Sequence, residues 1–191
     1  MICSTNLDYN QMRKELDDKL CAKYPKLFRD RHAPMTVTCM CWGFDCGDGW
    51  YNIIDALCGN IQSYVDNKRE QRARVLRYNR LLKRALNGDP SGLEKYYALG
   101  KEVTDWTRKM VTQDIENGRF RTAPDKAYQV IVSQVKEKYG SLRFYVDYGD
   151  DTVYGMISMA ESMSYRTCEV CGNPGEANSE GWISVRCETH R

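Results

Sequence analysis

The sequence predicts an α+β fold: a helical body with an inserted helical hairpin, followed by a β-hairpin and a short cysteine-bearing tail. Three observations carry this. Apolar residues recur at helical spacing over 6–24, 50–65 and 151–165. After Pro124 the pattern switches to alternating or continuous β-branched and aromatic residues. The last 24 residues are Gly/Pro-rich and hold two regularly spaced Cys/His pairs.

Asn6 to Tyr24 reads as an amphipathic helix with Leu7, Met12, Leu16, Leu20 and Cys21 on one face and Pro25 just beyond it. A loop from Pro25 to Gly49 follows. Trp50 to Val65 is a second helix, whose broad apolar face of Ile53, Ile54, Leu57, Cys58, Ile61 and Val65 marks it as a core element. The next stretch, DNKREQRARVLRYNRLLKR, is charged nearly all round, with a thin stripe of Val75, Leu76, Leu82 and Leu86. NGDPSG (87–92) is a turn. A further helix is expected from Leu93 to about Asn117, with Tyr96, Tyr97, Val103, Thr107, Met110 and Val111 inward and Gly118 as its stop. AYQVIVSQVKEKYGSLRFYVDYG is two strands joined near Lys138–Tyr139–Gly140, with Leu142, Phe144, Val146 and Tyr148 sharing a face. Asp151 is expected to cap a helix through about Tyr165 that buries Val153, Met156, Ile157, Ala160 and Met163. The expected organisation is a core of 1–65 and 123–166, an inserted hairpin of 66–122, and a tail of 167–191 packed on the core.

At 191 residues and 42% apolar content the chain suits one domain with an insertion and a real core. A net charge of +2 gives no global reason to expect nucleic acid. No apolar run approaches the ~18 residues of a membrane span. The N-terminal MICSTNLDYNQMRKELDDKL lacks the apolar core of a signal peptide, so a cytoplasmic location is expected. The nine cysteines are then reduced thiols or metal ligands.

In TCEVCGNPGEANSEGWISVRCETHR, Cys168 and Cys171 stand in CxxC spacing and Cys187 and His190 in CxxH spacing, fifteen residues apart. This is the Cys₃His pattern of a tetrahedral zinc site. Each two-residue spacer lets the chain curl so that both side chains meet one ion, and Gly172 permits a left-handed turn after the first pair. The tail has little apolar content, so the metal would supply its folding free energy. Four protein ligands fill the coordination sphere; one structural Zn²⁺ is expected, and no catalytic residue is assigned.

CMCWGFDCGDGW (39–50) is denser in unusual residues still. A second metal set of Cys39, Cys41 and Cys46 with Asp45, Asp48 and His32 is disfavoured, since Cys39 and Cys41 point to opposite faces of an extended segment. A nucleophilic pair of Cys46 or Cys41 with His32 is the other chemical reading. The better-supported reading is a structural corner: Asp48 caps the following helix, Gly47 and Gly49 permit a tight entry, and Trp42 and Trp50 pack beneath. Asp45, Asp48, Asp147, Asp150 and Asp151 would hold a hard cation only if they converge.

YPKLF (24–28), WGFDCGDGW (42–50), QVKEKYGSLRFYV (134–146), AESMSYRTCEVCG (160–172) and then GW and CxxH together resemble a family of small proteins without an assigned activity, encoded largely by tailed phages and prophages. The resemblance covers about residues 24–65 and 128–190, and 66–122 is where this chain is longer than typical relatives. It implies that corner and tail belong to one fold, and an accessory role towards a host cell.

Lys68, Arg69, Arg72, Arg74, Arg77, Arg80, Lys83 and Arg84, with one acid among them, carry a net +7 in a chain of +2. Such a helix can neutralise phosphates, with Tyr64 and Tyr78 as candidate stacking partners. Alternatively it is neutralised by Glu94, Glu102, Asp105 and Asp114 on the other half of the hairpin. The leading functional expectation is a non-enzymatic recognition protein that binds and inhibits or redirects a host component, a host protein first, as an anti-defence protein. The second is a nucleic-acid-binding accessory protein using the arm and the zinc tail. The third is a nucleotide-binding sponge or hydrolase.

Overall fold

In the computed structural model, which describes residues 11–178 and 181–191, the chain is mixed α and β. Its elements are α1 (Lys14–Lys23), β1 (Phe44–Asp45), α2 (Tyr51–Leu86), α3 (Ser91–Ala98), α4 (Asp105–Asn117), β2 (Ile131–Lys138), β3 (Ser141–Asp147), α5 (Asp151–Ser164), β4 (Glu176–Ala177) and β5 (Val185–Arg186). They divide into two compact units, one built from the chain up to Val65 and from Tyr128–Arg191, the other from Asp66–Ala127.

In the first unit, α1 starts at Lys14, not at the expected Asn6; Asn6–Asn10 lie outside the described residues. Met12 and Arg13 are extended because their amides are used elsewhere. Met12 N–H donates to the Phe44 carbonyl at 3.2 Å and Arg13 N–H to Asp48 Oδ1 at 2.8 Å. Behind α1 lies a largely buried ion pair, Asp17–Arg31, at 2.5 Å. Arg31 also donates to the carbonyls of Met40 at 2.7 Å and Cys41 at 3.2 Å, which fixes the short 3₁₀ turn Cys39–Trp42.

The sheet runs β1-β2-β3. The loop expected before α2 contains β1, which pairs parallel to β2 at Phe44↔Val135 and Asp45↔Lys136. β2 and β3 are antiparallel, with a bulge between Val132 and Gln134. Their two-residue turn, Tyr139–Gly140, has φ of 54° and 74°, the doubly positive geometry that suits the twist of a tight hairpin. Leu142 and Phe144 are buried and Val146 is partly buried. Tyr148 leaves their face: β3 ends at Asp147, and Tyr148 is exposed at φ 62°.

The start of α2 buries Ile53, Ile54, Leu57, Cys58, Ile61 and Val65 in one core with Phe44, Trp50, Val135, Leu142 and Phe144. α5 is capped by Asp150, one residue earlier than expected, through Val153 N–H at 3.1 Å. Val153, Ile157 and Ala160 are buried, but Met163 is half-exposed. Ser164 turns inward instead: its Oγ accepts Leu142 N–H at 2.9 Å, and Glu161 Oε1 accepts Phe144 N–H at 3.1 Å. α5 thereby satisfies amides on the free edge of β3, which would otherwise be open to pairing.

The second unit departs further from expectation. α2 does not end near Val65 but continues to Leu86, since no Gly or Pro interrupts a run of good helix formers. Its buried stripe is Tyr78, Leu82 and Ala85, packed with Leu93 and Val111. Leu76 and Leu86, assigned to that stripe from the sequence, are exposed. The single helix expected over 93–117 is two. α3 ends where Leu99 (φ 52°) and Gly100 (φ 80°) turn left-handed, and α4 restarts after Thr104, whose Oγ1 accepts Thr107 N–H at 3.3 Å. Gly118, at φ 59°, closes α4. No described helix is long and apolar enough to cross a membrane.

Candidate metal centre and basic arm

The tail forms a knuckle in which β4 pairs with β5 and Thr167 bridges Pro174. Cys168 N–H donates to Asn173 O at 2.7 Å and Gly172 N–H to Cys168 O at 2.8 Å, with Gly172 at φ 79°. That turn gathers Cys168 and Cys171. A 3₁₀ turn at Glu188–His190 gathers the second pair, with His190 N–H on Cys187 O at 3.0 Å. The four ligand atoms of Cys168, Cys171, Cys187 and His190 lie within 4.8 Å of one another. His190 Nδ1 is 3.1 Å from Cys187 Sγ and 3.7 Å from Cys168 Sγ, and the sulfurs of Cys171 and Cys187 are 3.7 Å apart. Burial opposes ionisation of Cys187, yet hydrogen bonds from His190, Cys171 and the Thr189 amide outweigh it and pull the thiol down to about 6. The cluster can hold a metal ion.

What holds the knuckle to the core is the stretch GDGW. Gly49 N–H donates to the Glu169 carbonyl at 2.7 Å, Gly47 N–H to Glu169 Oε1 at 3.0 Å, and the Trp50 indole N–H to Thr167 O at 2.9 Å. A Cβ on Gly49 would stand 2.2 Å from Cys168 O and 2.5 Å from Gly172 N, so only glycine permits this approach. Glu169 is 2% exposed and is paired with Arg186 of β5 at 2.9 Å. Burial raises its carboxyl above the usual range, against the Gly47 amide and Arg186, which favour the charged form. Sequence reasoning missed Glu169; nothing but its charge between two cysteines marks it.

The corner is therefore a docking cradle, and two of its assigned roles change. Asp48 does not cap α2: its carboxylate accepts Arg13 N–H and pairs with the Arg13 guanidinium, tying the start of α1. Trp42 does not pack beneath the helix but is 55% exposed, whereas Trp50 is fully buried. Among the described residues the tail cluster is the one gathering of three or more metal-ligating side chains. The sets Cys39–Cys41–Cys46 and Asp45–Asp48–Asp147–Asp150–Asp151 are not brought together. Cys46 is fully buried and its thiol is pushed well above normal, chiefly by desolvation, the setting of a structural cysteine, while His32 is exposed.

In the arm the eight cations divide by what they touch. Arg69 Nε donates to Ala127 O at 3.2 Å and Arg72 to Pro124 O. Asn79 donates to Arg121 O at 2.8 Å and accepts Arg121 N–H at 2.8 Å. These contacts lay the return segment 119–127 antiparallel along α2. Arg74 pairs with Glu70 at 2.5 Å, Arg84 pairs with Asp89, and Lys68 is engaged as well. Arg77, Arg80 and Lys83 are exposed and make no hydrogen bond or ion pair with any described residue. The acids expected to neutralise them are elsewhere: Asp105 pairs with Arg108 at 3.1 Å, Asp114 accepts the Tyr97 hydroxyl, and among the described residues neither Glu94 nor Glu102 pairs with a cation of α2. Nor are the tyrosines free to stack. Tyr78 is buried with the Arg121 guanidinium 3.5 Å from its ring centre, and Tyr64 donates to Asp150 Oδ2 at 2.7 Å.

Comparison with models of known families, with curated proteins and with solved structures found no match.

Proposed function

We propose that this chain is a non-enzymatic recognition protein with one structural zinc ion, and that it grips a polyanionic host component through the face of α2 carrying Arg77, Arg80 and Lys83. The observation behind this is the unpaired state of those three cations, on successive turns of one helix side, while their neighbours are all satisfied. Cations kept exposed and unpaired at regular spacing are suited to a line of negative charge. The resemblance to a phage-borne family favours a host component as the partner.

Zinc suits the tail by donor chemistry and by spacing. Three thiolates and one imidazole are its preferred set, and a tetrahedral ion with Zn–S near ~2.3 Å implies sulfur separations of ~3.8 Å, against 3.7 Å for Cys171 and Cys187. With four protein ligands no position is left for water, so the ion's part is structural. Elemental analysis should return one zinc per chain, lost in Cys168→Ser. Binding is tested on a heparin matrix. The wild-type protein should be retained and released by salt, and reversal of Arg77, Arg80 and Lys83 to Glu should bring elution to markedly lower salt with zinc content unchanged. Equal elution of the two proteins would remove α2 as the binding face.

A further inference from the structure

The return segment carries a feature that the charge of α2 does not explain. Phe120 is 53% exposed, follows Arg119, which is exposed and unpaired among the described residues, and precedes Arg121. Arg121 is pinned on both sides of its backbone by Asn79. The segment's order along α2 is Ala127 at Arg69, Pro124 at Arg72 and Arg121 at Asn79. If that order continues for two residues, Arg119 and Phe120 lie towards the turn of α2 that holds Lys83. An apolar ring is thus exposed between an unpaired arginine, Arg119, and a residue whose backbone is anchored on α2.

We infer that this part of the arm binds single-stranded nucleic acid, with Arg77, Arg80, Lys83 and Arg119 on phosphates and Phe120 stacked on an unpaired base. The inference rests on the α2 face being the binding surface and names its partner. From Arg77 to Lys83 the helix rises about 9 Å, so the three cations stand close enough along it to meet neighbouring phosphates of one strand. A ring fixed through its neighbour's two backbone hydrogen bonds loses little freedom on binding. Stacking needs an open base face, which a single strand offers and a duplex keeps covered. Of the acids around the strip, Glu70 and Asp89 are already paired with Arg74 and Arg84, while Glu116 and Asp125 are exposed, so the strip's charge is carried by its four unpaired cations against two acids. Phosphate contacts and stacking on a ring carry no base-edge readout, so binding should be indifferent to sequence.

The test uses the full zinc-loaded chain and a labelled oligothymidine of about 15 nucleotides, within the site sizes of single-strand binders, beside a duplex of equal length. Four phosphate contacts on a single strand imply a log–log salt slope of about −3. Phe120→Ala should weaken single-strand binding about tenfold, Phe120→Tyr should restore it, and heparin retention and zinc content should stay as in the wild type. A duplex bound as tightly as the single strand, or Phe120→Ala without effect, overturns the inference. If heparin retention still depends on Arg77, Arg80 and Lys83 in that case, the broader reading stands. If retention does not depend on them, both fall.

Discussion

At residue 49 the chain has room for a hydrogen and nothing larger. The atoms in the way belong to the backbone of Cys168, Glu169 and Gly172, which cannot swing aside as a side-chain tip would. Gly49→Ala must therefore either push the knuckle off its cradle or break the Glu169 carbonyl contact. A loss of about 4 kcal/mol or more is expected, visible as a lowered denaturation midpoint together with weaker zinc retention. Gly155 is the control: it lies mid-helix in α5, exposed, with open space where an alanine methyl would stand, so Gly155→Ala should raise stability by about 0.5–1 kcal/mol. An unchanged midpoint for Gly49→Ala would remove the docking role of the corner. Glu169 makes the same point about side chains. Its carboxylate joins β5 and Gly47 across more than a hundred residues of sequence, and truncation to Ala strands Arg186, a change expected to cost about 3 kcal/mol or more. The glycine was legible in the sequence as a special position, because a Gly–Asp–Gly before an apolar helix demands a reason. The glutamate was not, because a long-range pairing leaves no local pattern.

Elements were legible where their own residues decide them and opaque where their neighbours do. The β2–β3 turn, the Gly118 stop and the apolar face of α2 follow from local chemistry, and each was readable. β1, β4 and β5 have two residues apiece, too few to show any alternation. The long charged run of α2 looked like a boundary because its buried stripe is thin, yet helix propensity carries it to Leu86. The break after α3 was hidden because it falls on a leucine. Leu99 holds φ 52° while 85% exposed, so its side chain contributes strain and no packing. Leu99→Gly should accordingly stabilise the protein by about 1 kcal/mol, measured by chemical denaturation; a loss of stability would mean that the leucine has a partner. Between α1 and α2 the tie is electrostatic. Lys23 Nζ lies 2.8 Å from Asp55 Oδ1, and the Tyr24 hydroxyl donates to the same oxygen at 2.8 Å. Burial pushes the Asp55 carboxyl up, but Lys23 and Tyr24 outweigh this and hold it below the usual carboxylate range. Its contribution is then present above the unfolded carboxyl's range and is lost as pH falls through the folded value. Asp55→Asn should flatten the acid limb of the stability–pH curve, measured by chemical denaturation across the acid range. It should also remove the upward pull on Lys23, whose share of stability is lost only at the alkaline end.

For the molecule as a whole, the metal set was the most legible feature and its attachment the least. CxxC and CxxH encode their geometry within four residues each, so spacing alone was enough to assemble Cys168, Cys171, Cys187 and His190. The cradle that receives them comes from the far end of the chain. Similarly, the net charge of the arm was plain, but which cations are spent on carbonyls and which stay free depends on the path of the return segment. These two facts predict how the protein responds to metal loss. Among the described residues the tail buries Val185, Cys168, Cys187 and the ion-paired Glu169, so without an ion it has little apolar core. Its remaining hold is the few hydrogen bonds from Gly47, Gly49 and Trp50, which require the Cys168–Gly172 turn to be formed already. A chelator should therefore release the tail, exposing Arg186 to trypsin, whereas far-UV circular dichroism should keep most of its helical signal because α1 to α5 all precede the tail. Added zinc should restore protection. If the stripped chain resists cleavage at Arg186 as well as the loaded one does, the ion is not what folds the tail, and the buried Glu169–Arg186 pair would have to be.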